Sequence, residues 1–203
     1  MILRPLLLLC LVLMSFQSPT GTPTILFLGD SLTAGLGVTV EEAFPAVAGA
    51  MLGQKGKKVS VINAGISGDT SAGGLARIDW VLRQPVDILF LELGANDGLR
   101  GLPVTETRKN LQAIIDKTRA KNKGVKIILA GMMVPPNMGK DYAAAFSQVF
   151  SDLAAKNKCI RIPFLLEGVG GNAKLNQADG IHPRAEGHRI IAKNVVRYLE
   201  PAL

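Results

Sequence analysis

Five short apolar runs, at residues 24–28, 59–63, 86–91, 125–130 and 159–162, recur along the chain with little alternation of polar and apolar side chains. A strand with one wet face alternates, whereas a strand covered on both faces reads as a continuous apolar stretch. Between these runs lie amphipathic segments of helical period at about 41–53, 71–82, 105–122 and 140–157, with a last one at about 184–199. Regular strand–helix alternation of this kind predicts one parallel sheet with helices on both faces.

The expected fold class is therefore α/β, a flavodoxin-like three-layer α/β/α sandwich with a five-stranded parallel sheet. In that architecture a site forms at the C-terminal edge of the strands. A chain of 203 residues fits one domain, large enough to bury a substantial core without covalent staples. No internal repeat, low-complexity segment or linker divides it. Residues 1–21 read as a secretory signal peptide, with Arg4, an apolar run at 6–14 and small or polar residues after it. That run is too short to span a bilayer, which takes about 20 residues. The expected organisation is a leader at 1–21 and a single domain at 22–203, with a periplasmic or secreted destination. The cleavage point is poorly marked, because no A-x-A triplet occurs.

Cys10 falls inside the leader and is preceded by leucines, which argues against a lipid anchor. Cys159 is then the only cysteine of the mature chain, so no internal disulfide can form, and a structural thiol is the expected role. The net charge of +7 is scattered, and aromatic residues make up 5% of the chain. A nucleic-acid surface would need a basic stripe with interleaved aromatics, so no nucleic-acid partner is expected.

The strand exits carry the chemistry. Gly29-Asp30-Ser31-Leu32 follows the first run, residues 63–69 (NAGISGD) the second, and Gly94-Ala95-Asn96-Asp97-Gly98 the third. Near the C-terminus, Asp179-Gly180-Ile181-His182-Pro183 places a carboxylate three residues before one of the two histidines. That spacing can set Asp179 beside the imidazole, fixing its tautomer and stabilising the imidazolium. Ser31 is a candidate nucleophile, or else a helix cap or part of an anion site built from backbone amides. It lacks the G-x-S-x-G elbow, and no phosphate-loop signature occurs. The backbone N–H groups of Ser31 and Gly68 and the side-chain amide of Asn96 are candidate oxyanion donors; singly, Gly68 and Asn96 also read as turn formers. A metal set of Asp179, His182, Glu186 and His188 has no recognised ligand spacing, so no metal or cofactor is expected, and His188 reads as a surface or packing residue.

Gly29-Asp30-Ser31-Leu32, Gly68, Gly94-x-Asn96-Asp97 and Asp179-x-x-His182 resemble the four consensus blocks of the SGNH (GDSL) hydrolase superfamily, in order along residues 24–199. Residues 66–71 (ISGDTS), 92–101 (ELGANDGLRG) and Pro135-Pro136-Asn137-x-Gly139-x-x-Tyr142 resemble its secreted thioesterase I, arylesterase and lysophospholipase branch. The resemblance implies Ser31 as nucleophile, His182 as base, Asp179 as orienting acid, and Ser31, Gly68 and Asn96 as oxyanion donors. It also implies substrate contacts from Asp30, Asp97, Gly98, Leu99, Pro135, Pro136, Asn137, Tyr142 and Ile181, with loops 98–103 and 135–142 bordering an acyl pocket. The implied activity is hydrolysis of small-molecule acyl esters, thioesters or lysophospholipids. Carbohydrate O-deacetylation and a non-catalytic anion-binding module are the alternative readings.

Overall fold

The computed structural model describes residues 21–203. The expected leader therefore lies outside the described residues, apart from Gly21. The first strand, β1 (Thr24–Gly29), leads through the short helix α1 (Ser31–Ala34) to α2 (Phe44–Gln54). Then follow β2 (Ser60–Gly65), α3 (Ser71–Val81), β3 (Ile88–Glu92), α4 (Ala95–Leu99) and α5 (Val104–Lys121). The chain continues through β4 (Lys126–Ala130), a 3₁₀ turn at Pro136–Met138, α6 (Lys140–Asn157), β5 (Ile160–Ile162) and α7 (Ala185–Leu199), and ends in a second 3₁₀ turn at Glu200–Ala202.

The five strands form one parallel sheet in the order β2-β1-β3-β4-β5. Reversal of the order about β1 and β3 puts their C-terminal ends beside a crevice, the general ligand position of such sheets. The unalternating apolar strands are indeed covered on both faces: Ile25 to Leu28 and Leu89 to Leu91 have no solvent exposure. Helices α2 and α7 pack together, as do α3 and α5, and α5 with α6. Phe27 meets Phe90 at 4.9 Å between ring centroids and Phe44 at 5.7 Å, edge-on, tying β1 to β3 and α2. Edge strand β2 is only partly covered.

The two short helices α1 and α4 were expected as turns. Each has no more than five residues, too few for a hydrophobic period to be visible. Among the described residues, no helix is long and apolar enough to cross a membrane. Cys159 is half-buried beside the Asn157 carbonyl, and burial raises its thiol pKa.

Candidate active site

β1 ends at Gly29, and Asp30 caps α1 by accepting from the Leu32 N–H at 3.0 Å. Ser31 is thereby the first residue of the helix, at the exit of a central strand. The last loop before α7 comes back over this point. Asp179 folds it into a tight turn: its Oδ1 accepts from the backbone N–H groups of Ile181, at 2.9 Å, and His182, at 3.0 Å. Gly180, between them, has φ +71°, a conformation that suits glycine.

This turn aims the imidazole. Asp179 Oδ2 lies 2.7 Å from His182 Nδ1, and His182 Nε2 lies 2.9 Å from Ser31 Oγ. With Nδ1–H donating to the carboxylate, Nε2 is the lone pair that faces the hydroxyl. The imidazole hydrogen bond, with the two backbone donors, holds the Asp179 carboxyl well below the usual carboxylate range. Asp179 thus stays ionised opposite a ring that can become cationic.

Asn96 stands in the first turn of α4, and its side-chain amide donates to Asp30 Oδ2 at 3.1 Å and to the Asp69 carbonyl at 2.9 Å. One acceptor is the residue before Ser31 and the other the residue after Gly68. The Asn96 amide therefore bridges the two loops whose backbone amides are the other candidate donors. Among the described residues, neither the Ser31 nor the Gly68 N–H has an acceptor. Gly68 has φ +81°, and the Arg100 guanidinium donates to its carbonyl at 2.9 Å. Arg77 ties this loop to the ends of β2 and β1, donating to Asp69 Oδ2 at 2.8 Å, the Ala64 carbonyl at 2.7 Å and the Gly29 carbonyl at 3.0 Å.

A cleft of about 630 Å³ opens beside Ser31 and His182. Its wall includes Leu99, Pro135 and Ile181, three of the candidate substrate contacts, together with Met132, Met133, Val134, Phe164 and Leu166. That volume is in the range of small-molecule sites. Several expected substrate contacts do not line it. Asp97 is buried, and its carboxylate accepts from the Ser71 N–H and hydroxyl and from the Thr107 hydroxyl; it ties α3 and α5 to α4. Gly98 packs against Val134 and Phe146, so close that a Cβ would come within 2.4 Å of Val134 Cγ1. Tyr142 donates its hydroxyl to the Leu102 carbonyl at 2.8 Å, and Asn137 is exposed outside the cleft wall. The Pro136 side chain lies outside the described residues. Asp30 borders the cleft but turns both carboxyl oxygens onto protein donors.

His188 is fully buried, accepts the Phe44 N–H at Nδ1 and stacks on the Phe44 ring. The side chains unanticipated at the site are Arg77, Arg100, Glu92 and the apolar wall. Met132 to Val134 carried a signal, since three apolar residues sit at a strand exit where polar turn residues are usual. Phe164 and Leu166, past the fifth strand, carried the same one.

Comparison with known proteins places this geometry. Residues 27–190 match the GDSL-like Lipase/Acylhydrolase family. The chain is 42% identical over 195 residues to esterase TesA of Pseudomonas aeruginosa, covering 96% of each. It is 39% identical over 196 residues to thioesterase 1/protease 1/lysophospholipase L1 of Escherichia coli K12, covering 95% of this chain and 90% of that one. Its fold superposes on the crystal structure of TesA with a TM-score of 0.84, across 89% of this chain and 99% of that one at 42% identity. The psychrotrophic esterase EstA from Pseudoalteromonas, inhibited by monoethylphosphonate, superposes with a TM-score of 0.82 at 32% identity, over 88% of this chain and 97% of that one. Sequence, fold and site order agree, and the chain belongs to the GDSL-like lipase/acylhydrolase family, the SGNH hydrolases.

Proposed function

We propose that this chain hydrolyses acyl esters, and acyl-thioesters by the same route, through a Ser31-His182-Asp179 triad and a covalent acyl-enzyme. The observation that carries the reading is the unbroken chain of contacts from Asp179 Oδ2 to His182 Nδ1 and from His182 Nε2 to Ser31 Oγ. His182 Nε2 takes the hydroxyl proton as Ser31 Oγ bonds to the acyl carbon. The carbonyl electron pair moves onto oxygen, where the N–H groups of Ser31 and Gly68 and the Asn96 amide stabilise it. Collapse breaks the bond to the alcohol or thiol, which leaves with the proton from His182. Water then repeats the sequence on the acyl-enzyme and releases the carboxylic acid.

The apolar wall of Met132, Met133, Val134, Phe164 and Leu166 favours an acyl chain over an acetyl group on a sugar. Relatives named esterase, arylesterase and thioesterase 1/lysophospholipase L1 support the same substrate class. The leader pattern of residues 1–21 supports a periplasmic or secreted destination. The test is fluorophosphonate labelling of the full chain, followed by p-nitrophenyl esters and acyl-thioesters from acetyl to palmitoyl. Label on Ser31, with turnover rising beyond acetyl, is expected. An unlabelled Ser31, or activity confined to acetyl esters, overturns the reading.

A further inference from the structure

Glu92 takes no part in the mechanism above, yet it ends the central strand β3 with no solvent exposure. A carboxylate in that position would ordinarily need a cation. Among the described residues it has none. Its neighbours are instead a hydroxyl, a backbone amide and a second carboxyl. Oε2 accepts from Thr33 Oγ1 at 2.7 Å and from the Asp30 N–H at 3.2 Å, while Oε1 has no donor facing it. The place is cleared for this carboxyl, since a Cβ on Gly29 would stand 2.4 Å from Glu92 Oε2 and 2.0 Å from Thr33 Oγ1.

The second carboxyl has the opposite surroundings. Asp30 receives the Leu32 N–H on Oδ1 and the Asn96 amide on Oδ2, and its own N–H donates to Glu92 Oε2 at 3.2 Å, which sets the two carboxyls side by side. Two carboxyls in contact can share a bond only if one holds the proton. Donors converge on Asp30, and Glu92 has the oxygen without a donor, so the proton belongs on Glu92. Burial, then the charge of Asp30, pushes Glu92 well above the ordinary carboxyl range. Burial also raises Asp30, to about 6, against the opposing pull of its hydrogen bonds. Near neutral pH Glu92 is therefore the acid of the pair and Asp30 its carboxylate.

We propose that Glu92 is a positioning residue for acyl transfer: its carboxylic acid donates to Asp30, and the Asp30 carboxylate so held fixes the Asn96 amide beside Ser31. The inference rests on the esterase reading and deepens it. One N–H of Asn96 is pinned by Asp30, which sets the plane of the amide. The other, directed along the loop that carries Gly68, can then be shared with an oxyanion. Without the donor from Glu92, Asp30 would be a buried carboxylate with an unfilled acceptor, free to take a proton or rotate off Asn96.

The experiment compares the full chain with Glu92→Gln and Glu92→Leu in p-nitrophenyl ester hydrolysis, with the unfolding temperature of each. Glutamine is neutral, donates where the acid would and accepts from Thr33, so its kcat should stay within about threefold of wild type. Leucine removes the donor, and kcat should fall about tenfold or more while KM changes less than about twofold. Leucine also leaves the buried Thr33 hydroxyl and the Asp30 N–H without their acceptor, so this variant should unfold somewhat earlier than wild type, and kcat is compared well below both unfolding temperatures. Wild-type kcat in Glu92→Leu, or equal losses in both variants, overturns the proposal. Should Glu92→Leu not fold, Asp30→Asn replaces it: either amide orientation sets N–H against N–H, at Leu32 or at Asn96, and an unchanged kcat there overturns it equally. The Asn96 side-chain amide resonance, assigned by its loss in Asn96→Ala, should shift in Glu92→Leu and hold in Glu92→Gln. That shift reads the inference even if wild type turns over no ester, an outcome that would fail the esterase reading alone.

Discussion

Ser31 and His182 are 151 positions apart in the chain, yet Ser31 Oγ and His182 Nε2 lie 2.9 Å apart. Two local devices make that contact: the Asp30 cap that starts α1 at Ser31, and the Asp179 turn that holds His182 at its backbone as well as its ring. Neither device depends on the other, and the sheet brings them together.

Asp179→Asn should keep the turn but lose the anion that selects the Nδ1–H tautomer. In a comparable triad the same change lowers kcat by about 10⁴. Here the carboxylate is 45% exposed, so water can replace part of its effect, and a loss of at least about 10² is expected. Steady-state kinetics on a p-nitrophenyl ester check it; a kcat within tenfold of wild type would remove Asp179 from the triad.

Asn96→Ala deletes the amide that bridges Asp30 and the Asp69 carbonyl. A lost oxyanion donor lowers kcat by about 10² to 10³, with KM little changed. A variant that raised KM alone would make Asn96 a binding residue instead.

Leu166→Trp fills part of the apolar wall of the cleft. The chain-length profile should shorten: octanoyl and longer esters lose kcat/KM by about tenfold or more, while acetyl esters keep theirs. A uniform loss across the series would place the long-chain subsite elsewhere.

His188 ties α7 to α2 and carries a pH signature of its own. Burial lowers its pKa from 6.5 to about 4. The unfolded chain therefore binds this proton below about pH 6.5, while the folded chain does so only near pH 4. Its contribution is present above pH 6.5 and lost as pH falls toward 4, amounting to about 3 kcal/mol in all. Asp30, whose carboxyl is raised to about 6, acts in the opposite sense across the same range, so the comparison must be with a variant. His188→Gln should be less stable than wild type at pH 7 and approach it at pH 4.5, by urea unfolding. A stability gap independent of pH would mean that His188 does not enter the fold neutral.

Much of the fold was legible in one dimension because its causes are local. Unalternating runs such as 24–28 and 86–91, short and set between helical segments, read as strands covered on both faces, and the observed sheet has the flavodoxin-like order. Helix α6 spans Lys140–Asn157, the segment whose period predicted it, whereas α1 and α4 are too short to have one. The candidate site was partly legible for the same reason: Asp179 and His182 are three residues apart, and a turn can join them without the rest of the molecule. The cleft wall was only partly legible, because it depends on which loops lean over Ser31. Leu99 and Pro135 bring both expected loops to it, but Tyr142 bonds to Leu102, and Phe164 and Leu166 join the wall from beyond β5.

By itself the chain determined the succession of strands and helices, the turn that carries His182 and the residue types able to act at each strand exit, since periodicity, capping and short spacing act within a few residues. Only the tertiary structure decided that Asn96 reaches both Asp30 and Asp69, that Asp97 is a tie between helices and that Glu92 lies buried against Asp30. Those relations join different strands through side chains a few ångströms long, and the register and packing of the whole sheet set which of them meet.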